Sequence, residues 1–128
     1  MHEPWLVMKF GGTSVGNVEA FQQVLQVVGR AAEEQAATPR PGVIVVTSAM
    51  SGVTNALIAG ARAAAEGKDA VYREIRVDLL RKHLDVVSEL LGHSPERLDV
   101  GGLIEDRLHD LERLYRSIAV LGELTVRG

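Results

Sequence analysis

Apolar and polar positions follow two rhythms along this chain, and the change falls near residue 54. Trp5–Phe10 ("WLVMKF") is a short apolar run ended by Gly11-Gly12, the pattern of a buried strand. After a loop of glycines and hydroxyl residues, Asn17 stands where a helix N-cap belongs, and Glu19 falls in the first turn, where a helix favours negative charge. Val18, Phe21, Val24, Leu25 and Val28 then recur at helical spacing, which predicts an amphipathic helix to about Glu34. Ala37–Gly42 ("ATPRPG") reads as a turn, because its two prolines cannot continue the helix. Val43–Thr47 is continuous and β-branched, the pattern of a strand covered on both faces in a parallel sheet. Strand, glycine loop, helix, turn and strand together make a βαβ unit.

From Thr54 the pattern is helical almost to the end. Thr54–Glu66 is alanine-rich and stops at Gly67. Ala70–Leu91 carries Val71, Ile75, Leu79, Val86, Leu90 and Leu91 among charges and stops at Gly92. "GHSPERLDVGG" reads as a connection, with Ser94-Pro95-Glu96 as a short capped turn. Ile104–Leu121 is a further amphipathic helix, with Leu108, Leu111, Tyr115 and Ile118 on one stripe. Two strands cannot cover their own sheet edges, so more strands are expected outside this sequence, and the chain is expected to be an N-terminal fragment.

Composition narrows the class. At 128 residues, with 46% hydrophobic and 24% charged residues, the chain can bury a core and is not disordered. A formal net charge of −3 gives no reason to expect nucleic acid as a partner. The absence of cysteine excludes disulfides and thiolate metal sites and fits a reducing cytoplasm. The start, "MHEPWLVMKFGG", lacks a basic segment followed by a long apolar stretch, so no signal peptide is expected. The apolar runs are too short to span a bilayer, so no membrane partner is expected either. The expected location is cytoplasmic.

The chemistry concentrates at the ends of the two expected strands. Lys9 sits inside an apolar run and must send its ammonium to a polar partner or to water. Gly11 and Gly12 let backbone N–H groups approach a ligand, and the helix from about Asn17 points its positive end toward the same place. A point charge, free amides and a helix terminus converging on one place can hold phosphate oxygens. An edge strand with a solvated lysine and a flexible turn fits the local pattern equally well. The order of residues is not that of a Walker A loop, whose lysine follows the glycines, nor of a GxGxxG dinucleotide fingerprint.

The second loop, "TSAMSGVTN", follows the second strand, at the sheet end where open α/β sheets bind ligands. It offers the hydroxyls of Thr47, Ser48, Ser51 and Thr54 and the amide of Asn55, with Gly52 available for a tight turn. A plain capping loop, with Thr54 as the N-cap of the next helix, remains open on local pattern alone.

Several other residues read as structural. His2, His83, His93 and His109 have no ligand spacing, so no metal site is expected, and His83 and His109 fall at partly exposed helical positions. Arg73, Arg76, Arg81 and Lys82, interspersed with Glu74 and Asp78, read as a solvated helix face. Met50 reads as a packing residue, and Trp5 as an anchor for the first strand.

Lys9-Phe10-Gly11-Gly12-Thr13-Ser14-Val15 resembles the N-terminal signature of the aspartate kinases, and "SAMSGVTN" from Ser48 resembles their second motif. Other members of the amino-acid kinase superfamily share the lysine–glycine theme without this pair of motifs. The helical second half resembles the family's helical insertion, so the likeness covers the whole chain. It implies the three-layer α/β/α amino-acid kinase (carbamate kinase-like) fold, represented in residues 1–128 by two parallel strands and a helical second half. It also implies transfer of a phosphoryl group from MgATP to the β-carboxylate of L-aspartate, giving 4-phospho-L-aspartate, the first step toward lysine, threonine and methionine. Lys9 would contact the ATP phosphates and stabilise charge during transfer, and Gly11, Gly12, Thr13 and Ser14 would cradle them. Ser48 and Thr54 would orient the aspartate. Mg2+ would arrive with the nucleotide, and the whole enzyme would be a homo-oligomer.

The family's later "GER"-like motif, its adenine-binding segment and its regulatory ACT domains have no counterpart here. Glu123 in "LGELTVRG" reads as an ordinary helix-end residue and not as the motif's glutamate. The isolated chain is therefore expected to be inactive. The alternatives are another amino-acid kinase of the same fold, or a non-catalytic anion-binding or assembly module.

Overall fold

The computed structural model describes residues 5–38 and 42–127, with side chains as far as residue 122. His2, the centre of the 37–42 turn and the side chain of Glu123 lie outside the described residues. Among the described residues the architecture is α/β, with two strands and four α-helices, and the chain divides into two compact units, Met1–Gly52 and Val53–Gly128.

The first unit is the βαβ unit expected from the pattern. Strand β1 (Leu6–Phe10) pairs in parallel with β2 (Val43–Thr47), in a register that sets Leu6 beside Val43 and Phe10 beside Thr47. Between them runs α1 (Val18–Ala36), capped by the Asn17 side chain, which accepts from the Ala20 N–H at 2.8 Å. The loop expected between β1 and α1 contains a 3₁₀ turn at Gly12–Val15, closed by Ser14 N–H donating to the Gly11 carbonyl at 3.0 Å. Val15 is its buried anchor.

Val18, Phe21, Val24, Val28, Ala31 and Gln35 of α1, all half-buried or buried, make a continuous stripe at steps of three and four, with half-buried Ala20 beside it. Leu25 was expected in that stripe but faces solvent, because it lies a full 100° step from Val24. Trp5 is likewise exposed, although its ring covers Gly42, whose φ of +134° suits glycine.

The larger correction concerns β2. A strand covered on both faces was expected, yet Ile44, Val45 and Val46 are all more than 40% exposed. A single helix can cover only one face of a two-stranded sheet. Phe10 shares a cavity lining with Ala20, Val24 and Val27, so α1 lies on the Phe10 side. Alternation along the strands then puts Val7, Lys9, Ile44 and Val46 on the opposite face.

The second unit is a three-helix assembly of α2 (Val53–Ala65), α3 (Asp69–Leu91) and α4 (Pro95–Arg127). Gly67 and Gly92, with φ of +72° and +53°, end α2 and α3 as expected. The core is built from small residues against two tyrosines: Ala63, Ala64 and Ala119 surround Tyr72 and Tyr115. The two rings meet at a 56° tilt with centroids 5.7 Å apart. Tyr115 lies so close to α2 that a Cβ at Gly60 would overlap its ring, 2.7 Å from Cε2. Its hydroxyl donates to the Leu57 carbonyl at 2.8 Å, and burial pushes the phenol pKa up.

Three expectations for this unit change. "GHSPERLDVGG" is not a connection beyond its first residues, because α4 already starts at Pro95, where a missing N–H costs nothing. Val71 faces solvent while Tyr72, Leu79 and Val87 form the buried side of α3. Arg76 leaves the solvated face for α4, where Glu112 lies 4.0 Å from its Nε, whereas Arg81 pairs with Asp78 at the surface as expected. His83 is half-buried, its Nδ1 2.7 Å from the Leu79 carbonyl, and His109 is exposed.

Candidate functional site

Parallel pairing places the chain that leaves β1 and the chain that leaves β2 at the same end of the sheet. The ladder continues one step past β2, where Ser48 N–H donates to the Phe10 carbonyl at 3.2 Å. That bond holds the second loop against the first. A Cβ built on Gly12 would stand 3.7 Å from Ser48 Oγ, 3.6 Å from the Ala49 carbonyl and 3.9 Å from the Ser51 Cα. At Gly16 it would stand 3.4 Å from the Ser51 Cβ. The glycine loop and the serine loop thus lie about one side-chain atom apart.

Glycine's role differs from place to place. Gly52 has a φ of +84°, so the turn after the second loop needs glycine for its backbone alone. Gly11 has an extended backbone, with φ of −79° and ψ of 178°, which any residue adopts. A Cβ there would meet nothing within 4 Å. Neither strain nor crowding within the chain requires glycine at Gly11; what its bare backbone leaves is open space over the loop. An anion could approach the main chain there without meeting a side chain. The 3₁₀ turn that follows has no side-chain cap, and no acidic residue stands in its first turn.

The structure gathers some of the expected residues and separates others. Gly11, Gly12 and Ser48 share one loop cluster, and the Ser48 hydroxyl donates to the Ala49 carbonyl at 3.0 Å. Thr13 and Ser14 line a recess of about 320 Å³ on the α1 side, with Phe10, Gln23 and Val27. Lys9 is exposed and belongs to the opposite sheet face, beside Val46. Thr54 falls in the helical unit, exposed in the first turn of α2. It is not the N-cap of that helix, since the helix already includes Val53. Met50 is buried, in line with a packing role.

The positive end of α1 is already partly satisfied, because Asn17 takes the Ala20 N–H and Glu19 supplies negative charge. That helix end is therefore a weaker anion site than its bare dipole implies. Among the described residues, no group of three or more His, Cys, Asp or Glu side chains stands together as a metal cage. Sequence reasoning missed Gln23 and Val27 as lining residues, and their only signal was a position one and two turns into α1, on the face that follows Ser14.

No family model matches the chain. Individual relatives do. The chain is 32% identical over 123 residues to the chloroplastic bifunctional aspartokinase/homoserine dehydrogenase 1 of Arabidopsis thaliana, covering 96% of this chain and 12% of that protein. It is 33% identical over 124 residues to the chloroplastic aspartokinase 3 of the same plant, covering 95% of this chain and 20% of the relative. Over a shorter stretch of 53 residues it is 51% identical to the aspartokinase of Pseudomonas aeruginosa, covering 41% of this chain and 12% of the relative. The chain thus spans between 12% and 20% of the length of these relatives. Among the described residues, no helix is long and apolar enough to cross a membrane.

Proposed function

From the premise that this chain is a relative of the aspartokinases, we propose that it supplies the phosphate-binding loop and part of the substrate wall of an ATP-dependent aspartate kinase. The reaction is transfer of the γ-phosphoryl group of MgATP to the β-carboxylate of L-aspartate. One observation carries the reading: the two motif loops leave parallel strands at one sheet end and lie side by side, with open space over Gly11.

In this reading Lys9 neutralises charge on the transferring phosphate, and the amides of Gly11, Gly12 and Thr13 hold phosphate oxygens without a side chain in the way. Thr13 and Ser14 complete the cradle with their hydroxyls. Ser48 and Thr54 orient the aspartate. Magnesium comes with the nucleotide, and its charge adds to that of Lys9. Phosphoryl transfer asks little covalent work of a protein, so positioning and charge account for most of the catalysis. The chain would form the N-terminal portion of an amino-acid kinase domain in a cytoplasmic homo-oligomer.

The test is steady-state kinetics on a kinase that carries this segment. Lys9→Ala is expected to lower kcat by about a hundredfold or more while substrate KM changes little, because its charge acts mainly in the transition state. Thr54→Ala is expected to raise the aspartate KM more than the ATP KM. A fully active Lys9→Ala enzyme would remove the phosphate role.

A further inference from the structure

A second concave site lies wholly within the helical unit. Between α3 and α4 is a cavity of about 300 Å³, lined by Leu84 and Val87 from α3 and by Gly101 and Gly102 from α4, with the largely exposed Leu98 beside them. Arg97 and Glu105 complete its lining. Two adjacent glycines inside a 33-residue helix weaken that helix, so their presence calls for a reason. The backbone gives none: neither has a positive φ. Nor does crowding. A Cβ at Gly101 would make an ordinary 3.7 Å contact with Leu84 Cδ2, and one at Gly102 would meet nothing within 4 Å. What the pair does is keep the cavity open.

The charges are placed to select an occupant. Arg97 is half-buried and uses Nη1 to donate to the Gly92 carbonyl at 3.2 Å, which fixes the guanidinium while leaving other N–H donors of the fork. Glu105 is exposed and lies eight residues further along α4, about 12 Å along the axis at the usual rise. Both side chains contribute to the lining of the same cavity. A cation at one end, a carboxylate at the other and methylene-sized space between them fit a linear molecule of the opposite polarity.

We propose that this cavity binds a short linear aliphatic ω-amino acid, with its carboxylate on Arg97, its methylenes along Leu84, Val87 and Leu98, and its ammonium at Glu105. A plain fatty acid or amine would satisfy only one of the two charges.

The experiment uses the uniformly 15N-labelled chain and two-dimensional amide spectra, with 6-aminohexanoate as probe and hexanoate and hexylamine as comparators. 6-Aminohexanoate is expected to shift the Gly101 and Gly102 amides saturably. Each comparator should bind about two- to fivefold more weakly, the loss of one solvent-screened charge pair. Gly102→Leu should abolish the shifts by filling the cavity while the melting temperature stays level or rises, because leucine is the better helix former. Arg97→Gln should weaken 6-aminohexanoate and hexanoate but leave hexylamine unchanged. Absence of saturable shifts, equal binding of all three probes, or binding that survives Gly102→Leu would each overturn the proposal.

Discussion

The two units of this chain handle apolar surface in opposite ways. In the helical unit, Tyr72 and Tyr115 are almost completely buried against alanines, and a tyrosine hydroxyl reaches across to a backbone carbonyl of α2. In the sheet unit, β-branched residues of both strands stand exposed, with Val7 at 59% and Val46 at 46%. Three helices can bury a common stripe among themselves, whereas two strands and one helix leave one sheet face and two edges uncovered. The contrast teaches where function and stability reside. The helical unit is held by a core of its own, while the sheet unit offers loops, open backbone and uncovered surface.

The sharpest way to break this contrast is to remove the tyrosine on which the helical core is built. Tyr115→Ala is expected to cost about 4 kcal/mol, the range for deleting a large buried aromatic side chain, read by urea unfolding followed through helical circular dichroism. A loss below about 1 kcal/mol would mean that the alanine-lined core does not hold the unit together. The same residue predicts a pH effect. Its raised pKa means that the folded state holds the proton longer than the unfolded state does. The stability tied to that proton is fully present below the ordinary tyrosine pKa and is lost as pH rises through the folded value. In Tyr115→Phe that alkaline loss should disappear.

A smaller effect is expected at the start of α1. Asn17→Ala removes the acceptor of the Ala20 N–H and should cost about 1 kcal/mol. Restoration by Asn17→Ser would tie the loss to the cap. The smallest effect belongs to the uncovered sheet face. Val46→Thr should change stability by less than about 0.5 kcal/mol, because the side chain is already in water. A cost of 2 kcal/mol or so there would show that the face is covered in solution.

Much of the fold was legible because its signals are local. Asn17 capping, the glycine stops at Gly67 and Gly92, and the parallel βαβ unit all follow from residues close in sequence. The β-branched run Val43–Thr47 revealed a strand, but its burial depends on what lies over it, which a run of five residues does not encode. Gly101-Gly102 suggested a break and instead lie within α4, because Pro95 can open a helix and the packing of α4 on α3 outweighs the glycines' poor propensity. Tyr115 was visible on its stripe, whereas its partner Tyr72 was masked by Val71 beside it. At the site, the meeting of the two loops was legible from strand direction. That Thr13 and Ser14 line the α1 side while Lys9 lies on the other face was not, because it depends on strand alternation and on which face the helix covers.

In the proposed function, the Lys9–Ser14 stretch holds the phosphates of a nucleotide. Titration of the labelled chain with MgATP, followed at the Gly11, Gly12 and Thr13 amides, tests it most directly, because it needs no turnover from a chain expected to have none. Saturable shifts are expected at these amides and their neighbours in the Ser48 loop and nowhere else, reproduced by pyrophosphate and at least several-fold weaker in Lys9→Ala. Shifts absent from Gly11 and Gly12, or unchanged in Lys9→Ala, would contradict it.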